Sequence, residues 1–397
     1  GIMRNLKTSL SAFLLAGIIT AATSSNFALA QQTNDSSYDA ITAKAKQLDG
    51  PPVNITSNYW LAWTGAWDTV ILKEAKLWEK WLPKDSKVEW KRNLQGPPVI
   101  TDLLANKQQI GYIGDSPAVV STTKQDIHPI HIVAMNEMSP SRMCGAILVR
   151  KDAPEFKTMQ DAIKWLQGKT VGVPKGSCAD RLGHSMLASL GVEATWQQMQ
   201  AEVIVTSLQA GKIDAAAVYE PHASKAVEDG FAKYAASAAS LGQSDANIVV
   251  MRSDFIKEHR NVAIAWLKAN IQALYFLRDK PIETIEFVKK ELPQYPREVL
   301  WHAIYAQLPA NTNPSEIGLQ APMVITPEAE KLIAQVYSFL RQIKVVQTDT
   351  IAKDAIMSDL VTQAFTDLGL DPKKGLFEIK ALDPSKTPFK GDALKSK

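Results

Sequence analysis

Leu104-Ala-Asn-Lys-Gln-Gln-Ile-Gly-Tyr-Ile-Gly-Asp-Ser-Pro117 decides how this chain is read. It runs from a helix end through a small turn into a short strand, Gln109–Ile113. Gly114-Asp115-Ser116-Pro117 then opens another helix, with Pro early in it. A turn that leaves a strand and starts a helix points free backbone N–H groups and a positive dipole at one spot. The pattern returns 104 positions later as Leu208-Gln-Ala-Gly-Lys-Ile-Asp-Ala-Ala-Ala-Val-Tyr-Glu-Pro221. Residue by residue the match is weak. Yet each copy is a helix end, a small turn, a strand of small or apolar residues, then a polar pair and Pro. Two copies predict two similar α/β lobes facing each other, and too few repeats for an array.

The flanking sequence extends the pattern. Upstream, a strand over Ile55–Ala62 stops at Trp63-Thr64-Gly65-Ala66-Trp67 and turns into a helix over Asp68–Trp81. Val70, Ile71, Ala75, Leu77, Trp78 and Trp81 form one buried stripe of that helix. A strand over Lys87–Arg92 leads through Gln95-Gly96-Pro97-Pro98 into a helix over Val99–Asn106, and Pro129–Ala134 reads as a further strand. The second half repeats the logic. Gly145–Val149 is a strand, Met159–Gln167 a helix and Thr170–Val173 a strand. Lys175-Gly176-Ser177-Cys178 turns into a helix over Ala179–Leu190, and the strand Asp214–Val218 ends in Tyr219-Glu220-Pro221-His222. Repeated β-turn-α units predict a mostly parallel sheet with its loops gathered at one edge. Ile248–Met251 is expected to return to the first lobe. Helices over Phe255–Leu277, Pro281–Leu292, Pro296–Leu308, Pro327–Ile343 and Ile351–Leu368 follow.

The expected organisation is a signal peptide over 1–30, a flexible polar lead-in over 31–52, and a first lobe from 53–143 plus 247–370 with the C-terminal helices. The second lobe takes 144–246. A Lys/Pro/Asp-rich tail over 371–397 is expected to drape over the surface or be partly disordered. Arg4 and Lys7, an apolar run over Leu10–Ala22 and Ala28-Leu29-Ala30 have the layout of a cleaved secretory leader. The apolar run is too short for a membrane span. Cleavage there reduces 44 basic residues to 42 against 41 acidic ones, a net charge of +1. That balance excludes a basic nucleic-acid footprint. The two cysteines, Cys144 and Cys178, would sit in an oxidising compartment as a disulfide or as two buried thiols. Neither has metal-site spacing.

The turns nominate the binding groups. Trp63 and Trp67 are set on a turn, where a helix stripe does not explain them, so they are expected to stack on a ligand with Thr64 beside them. Gln95 is an amide donor next to Gly96. Asp115 either caps its helix, the favoured reading, or meets a ligand amine; Ser116 is expected to contact the ligand. Ser177 and Cys178 sit on a nest of N–H groups suited to sulfonate, carboxylate or nitrate oxygens. Glu220 and His222 flank the second-lobe turn. Arg142 and Arg181 are charge partners for a ligand or for surface acids. No hydrolase triad, Walker loop or dinucleotide fingerprint occurs. No catalytic residue, metal or cofactor is expected.

GPPVITDLLANKQQIGYIGDSPAV, GAILVRKDAPEFKTMQDAIKWLQGKTVGVPKGSCADRL and LQAGKIDAAAVYEPHASKA resemble periplasmic substrate-binding proteins of ABC importers. The nearest group is the nitrate/sulfonate/taurine type (NMT1/THI5-like), which includes binders of thiamine precursors, and the resemblance covers about residues 54–345. It implies a two-lobed type II binding-protein fold whose crossover strands fall near Met143–Val149 and Asn247–Arg252, closing over a ligand by a hinge. Its ligand turns fall on Trp63–Trp67, Gln95–Pro98, Gly114–Pro117, Lys175–Ala179 and Tyr219–His222. It implies a monomeric periplasmic carrier that delivers a small anionic organic solute to an ABC permease and ATPase. The solute would be sulfonate-like and, given the Trp-rich opening turn, aromatic or hydrophobic in part. Nitrate, aromatic acids and pyrimidine-type precursors are the other ligands in view, and an exported enzyme or a ligand-presenting sensor the other roles. The cysteines are not part of the family pattern. A local disulfide is plausible because Cys144 begins a crossover strand beside the turn carrying Cys178.

Overall fold

Buried apolar side chains separate into two clusters, and the boundary between them runs through the linkers after Ser139 and Ser237. The structure, a computed structural model, describes residues 33–59, 66–93, 96–123, 129–142, 144–347 and 351–394. In chain order the first lobe holds α1 (Tyr38–Thr42), β1 (Asn54–Tyr59), α2 (Trp67–Glu74), β2 (Lys87–Arg92), α3 (Gly96–Leu104), β3 (Ile110–Gly114), α4 (Asp115–Thr122) and β4 (Ile130–Ser139). The second lobe holds β5 (Ala146–Arg150), α5 (Met159–Trp165), β6 (Thr170–Val173), α6 (Cys178–Ala188), β7 (Thr195–Gln198), α7 (Ala201–Gln209), β8 (Ala215–Ala217), α8 (His222–Glu228) and β9 (Ala232–Ser237). The chain then returns through β10 (Asp245–Arg252) to α9 (Ser253–Glu258), α10 (Arg260–Asp279), α11 (Pro281–Glu291) and α12 (Arg297–Tyr305). It closes with β11 (Ile317–Ala321), α13 (Pro327–Gln342), α14 (Asp359–Asp367) and β12 (Phe377–Lys380).

The sheets correct one expectation. β1 and β2 pair in parallel, as do β7 with β6 and β6 with β8. The first lobe's five-stranded sheet, ordered β12-β11-β4-β10-β3, is antiparallel throughout. In the second lobe β5 runs antiparallel to both β8 and β9. The reason is topological. β4 leaves the first lobe at its linker end, and β10 re-enters at that same end, so it must run the other way. It wedges between β3 and β4, which places Asn247 opposite both Gly114 and Glu137.

Other departures have local causes. The opening strand ends at Tyr59, and residues 60–65 lie outside the described residues. The helix expected over Asp68–Trp81 stops at Glu74. Lys76 adopts a left-handed backbone (φ 48°), and a 3-10 turn over Leu77–Lys80 follows. Trp78 and Trp81 remain in the core, where Trp81 Nε1 donates to Gln272 Oε1 at 2.8 Å. The lead-in expected to be flexible is ordered from Thr33. Ser37 caps α1, Ile41 is fully buried, and the Asn34 amide donates to the Gly375 carbonyl at 3.0 Å. Nor does the tail drape. Leu376, Phe377 and Phe389 are buried, and β12 pairs antiparallel with β11. Three buried apolar anchors outweigh the polar composition around them.

The long helix α10 is buried over most of its circumference. It packs on α2, α14 and α1, and its polar Asn270 and Gln272 are paired inside the core. That packing holds the start of α2 against β4, where Asp68 N donates to Glu137 and Asn136 donates to Asp68.

Candidate functional site

Facing turns of the two lobes enclose a cleft of about 580 Å³. The first lobe contributes Ile100, Ser116 and Pro117; the second contributes Gly176, Ser177 and Tyr219. Leu340 and Val345, at the end of α13, close one side. The turns reach this geometry by ordinary local chemistry. Ser177 caps α6, its Oγ accepting from Asp180 N at 3.2 Å and donating to the Pro174 carbonyl at 2.6 Å. Gly176 supplies the left-handed backbone the turn needs (φ 80°). Gly96 lies so close to Pro117 that a Cβ there would overlap the Pro ring. Only glycine lets α3 begin against the Ser116–Pro117 turn.

Behind the two serines lies a buried ion pair that crosses the lobes. Arg181, one turn into α6, donates through Nη2 to Asp115 Oδ2 at 2.7 Å, with exposures of 2% and 1%. The same nitrogen reaches the Ser244 carbonyl in the linker at 2.9 Å. Arg181 Nε and Nη1 are buried without an acceptor among the described residues, as is Trp67 Nε1. Polar oxygens lie nearby. Asp245, at the start of β10, has both carboxylate oxygens buried with only the Cys144 and Asp245 backbone N–H groups close by, and Glu137 Oε1 is buried without a donor among the described residues. Burial, with Asp115 as neighbour, pushes the Asp245 carboxyl well above the carboxylate range. Burial beside Asp68 does the same to Glu137. Both shifts favour the protonated carboxyl, and Asp115 is the carboxylate that Arg181 engages. Asp68 is bound by Asn136 Nδ2 at 3.0 Å and Asn270 Nδ2 at 2.6 Å.

The residues nominated from the sequence divide. Ser116 and Ser177 line the cleft, and Gly96 lies directly behind Ser116 and Pro117. Asp115 does not cap its helix. Gly114 holds the cap position without a side-chain bond, and the Asp115 carboxylate turns to Arg181 instead. Trp67 heads α2 and is fully buried in the first lobe's core. Trp63, Thr64 and Gln95 lie outside the described residues. Cys178 is joined to Cys144 in a disulfide with a Cα–Cα distance of 5.8 Å, tying the second lobe's turn to the linker.

Glu220 turns away from the cleft. Its Oε2 accepts from Arg142 Nη1 at 2.5 Å and from Ser224 and Tyr234, while Oε1 accepts from Ser224 N at 2.7 Å. His222 is buried beside Tyr219 and Tyr295, and burial lowers its pKa despite Glu202 at 3.9 Å. The sequence reading missed Asp68, Asn136, Glu137 and Asp245. A polar pair, Asn136-Glu137, inside the otherwise apolar strand Ile130–Ser139 was the available signal.

The fold and the cleft have known counterparts. The profile of the NMT1-like family matches residues 53–288. The chain belongs to the NMT1-like family. Among curated proteins it resembles a putative aliphatic sulfonates-binding protein of Bacillus subtilis (strain 168), 23% identical over 214 residues. That match spans 53% of this chain and 62% of the relative, less than two thirds of its length. Among solved structures, the periplasmic aliphatic sulphonate binding protein SsuA of Escherichia coli superposes with a TM-score of 0.63 at 19% identity, over 78% of this chain and 93% of that one. The periplasmic nitrate-binding protein NrtA of Synechocystis PCC 6803 gives 0.62 at 16% identity, over 85% and 97%. At these identities the structures establish a shared fold, that of two-lobed periplasmic binding proteins. In this NMT1-like chain the family profile ends within α11, so α12 to β12 lie beyond it. Among the described residues no helix is long and apolar enough to cross a membrane.

Proposed function

We propose that this NMT1-like protein is the solute-binding component of an ABC import system. It holds a small organic anion, sulfonate-like and partly hydrophobic, between its lobes. The observation that carries this reading is Arg181. A guanidinium this deeply buried, with two N–H donors unmet, calls for an acceptor that the described residues do not supply. A sulfonate or carboxylate oxygen meets that demand as a charge-assisted hydrogen bond. Burial raises the pKa of Glu137 and of Asp245 and so favours their protonated forms, which would not repel it. The Ser116 and Ser177 hydroxyls donate within the protein, to Asp115 Oδ1 at 3.2 Å and to the Pro174 carbonyl at 2.6 Å, and so shape the cleft surface, while Ile100, Leu340 and Val345 give an apolar body somewhere to lie. Because Asp115 and Arg181 come from different lobes, an anion at Arg181 would bind where the lobes meet. Closure then raises affinity by enclosing it. The name of the curated relative, a putative aliphatic sulfonates-binding protein, supports this solute class. An exported carrier working with a permease and an ATPase is the role that follows.

Isothermal titration with an alkanesulfonate series tests the proposal. Arg181→Lys keeps a cation for Asp115 but loses the planar set of N–H donors. It is expected to weaken binding by about 10- to 100-fold, the scale of a lost hydrogen bond to a charged group. Undiminished affinity in a folded variant would remove Arg181 from the ligand. A thermal-shift screen of sulfonates, nitrate, aromatic acids and pyrimidines in which only non-anionic compounds stabilise the fold would remove the anion reading altogether.

A further inference from the structure

A second cavity, of about 950 Å³, shares no lining residue with the cleft. It lies between α8 and β9 of the second lobe and the segment 302–314 of the first, with residues 381–384 at its rim. Arg142, in the linker between the lobes, forms its floor. Nε donates to the Ala306 carbonyl at 2.6 Å, and Nη1 donates to Glu220, to Ser224 at 3.2 Å and to Tyr234 at 2.9 Å. Nη2 makes none of these bonds and is not among the fully buried unmet atoms, so the 6% of Arg142 that is exposed leaves it a free donor at the cavity. Glu220 is saturated by its own donors, so the Arg142–Glu220 pair is internally neutral.

The surrounding charges select the chemistry. Glu228 is engaged by His302 Nδ1, whose other ring nitrogen meets the Pro384 carbonyl at 3.2 Å. Asp383 adds a carboxylate at the rim, accepting from Ser385 N and Oγ and with Lys386 beside it. An anion entering here would face Asp383 and Glu228 with its one buried cation already neutralised. The walls are apolar, formed by Val227, Leu308, Pro309, Ala310 and Pro314. The remaining polar group is Nη2, which can donate to one acceptor placed in the cavity. We propose that this cavity is a second small-molecule site, and that it takes an uncharged, mainly apolar compound whose carbonyl oxygen accepts from Arg142 Nη2. Its chemistry is opposite to that proposed at Arg181, whose unmet donors, buried behind the cleft lining, suit an anion.

Acetophenone and benzoate, with the same ring and nearly the same size, separate the two chemistries in titration against the full chain with the cleft first saturated by an alkanesulfonate. Acetophenone is expected to bind, with benzoate at least tenfold weaker. Replacing Arg142 would strand Glu220 and endanger the fold, so the decisive variant is Val227→Trp. Val227 is partly exposed on the cavity wall, and an indole there fills the space. Val227→Trp is expected to weaken acetophenone at least tenfold while an alkanesulfonate binds the cleft as before. Benzoate equal to or tighter than acetophenone, no acetophenone binding, or unchanged acetophenone binding in Val227→Trp would each overturn the proposal.

Discussion

The two matching turns, Gly114–Pro117 and Tyr219–His222, occupy the same place in their lobes and spend their carboxylates differently. Asp115 reaches across the cleft to Arg181 and leaves two of that guanidinium's donors unmet. Glu220 folds back under α8, where four donor contacts converge on it from Arg142, Ser224 and Tyr234. One turn is left chemically incomplete and the other is complete. Buried polar groups are ordinarily satisfied, so the incomplete turn points to ligand work and the complete one to architecture. Equivalent position in a repeated fold therefore does not confer equivalent role.

Removing the complete partner is expected to have the largest effect. Glu220→Ala strands the buried Arg142 guanidinium and deprives Ser224 and Tyr234 of their acceptor. The expected loss is about 3–5 kcal/mol of stability in urea denaturation. A loss below about 1 kcal/mol would mean that the second turn is not the structural one. A smaller effect should follow at the first turn. Gly96→Ala forces a Cβ into Pro117, and relief requires α3 and α4 to separate. Overpacking of this kind costs about 1–3 kcal/mol. Because the displaced segment carries Ser116, cleft affinity should fall along with stability. Stability lost with affinity intact would detach the first turn from the ligand.

Much of this organisation was legible in the sequence because it is local. The strand–turn–helix units, the Pro-led helix starts and the offset between the two halves are short-range patterns, and Lys87–Arg92 and Thr170–Val173 form strands with those same bounds. What escaped is long-range. No local pattern says that β10 will slot between β3 and β4 in the opposite direction, because that follows from where the chain leaves and re-enters the lobe. The same holds at the site. Trp67 reads as a ligand contact because it sits on a turn; the left-handed Ala66 before it and the packing of α2 carry the ring into the core, with Nε1 left without a partner among the described residues. Arg181 and Asp115 are 66 residues apart, and their pairing exists only once the lobes face each other. The tail shows the same limit. Its Lys and Pro content masks Phe377 and Phe389, whose burial depends on a surface built far upstream.

The smallest expected effect concerns the neutral acids beside the incomplete turn. Glu137 has its folded pKa raised by burial and by Asp68, so its protonated form is the one the fold favours. The resulting stability is fully present below the unfolded carboxyl value, about 4.3, and is lost as pH rises toward the folded value. Glu137→Gln does not titrate and can still accept the Asp68 N–H that Oε2 takes at 3.2 Å. The variant and the parent chain should therefore match near pH 4. The variant should be the more stable by pH 8, by about 1 kcal/mol or more, the free energy of a roughly tenfold change in proton affinity. Asp245 retains its own raised pKa, so part of the parent slope should survive in the variant. Denaturation midpoints measured across that range decide the matter. Parallel pH curves for the two proteins would show Glu137 to be charged in the fold, and the floor behind Asp115 would then repel the anion proposed for it.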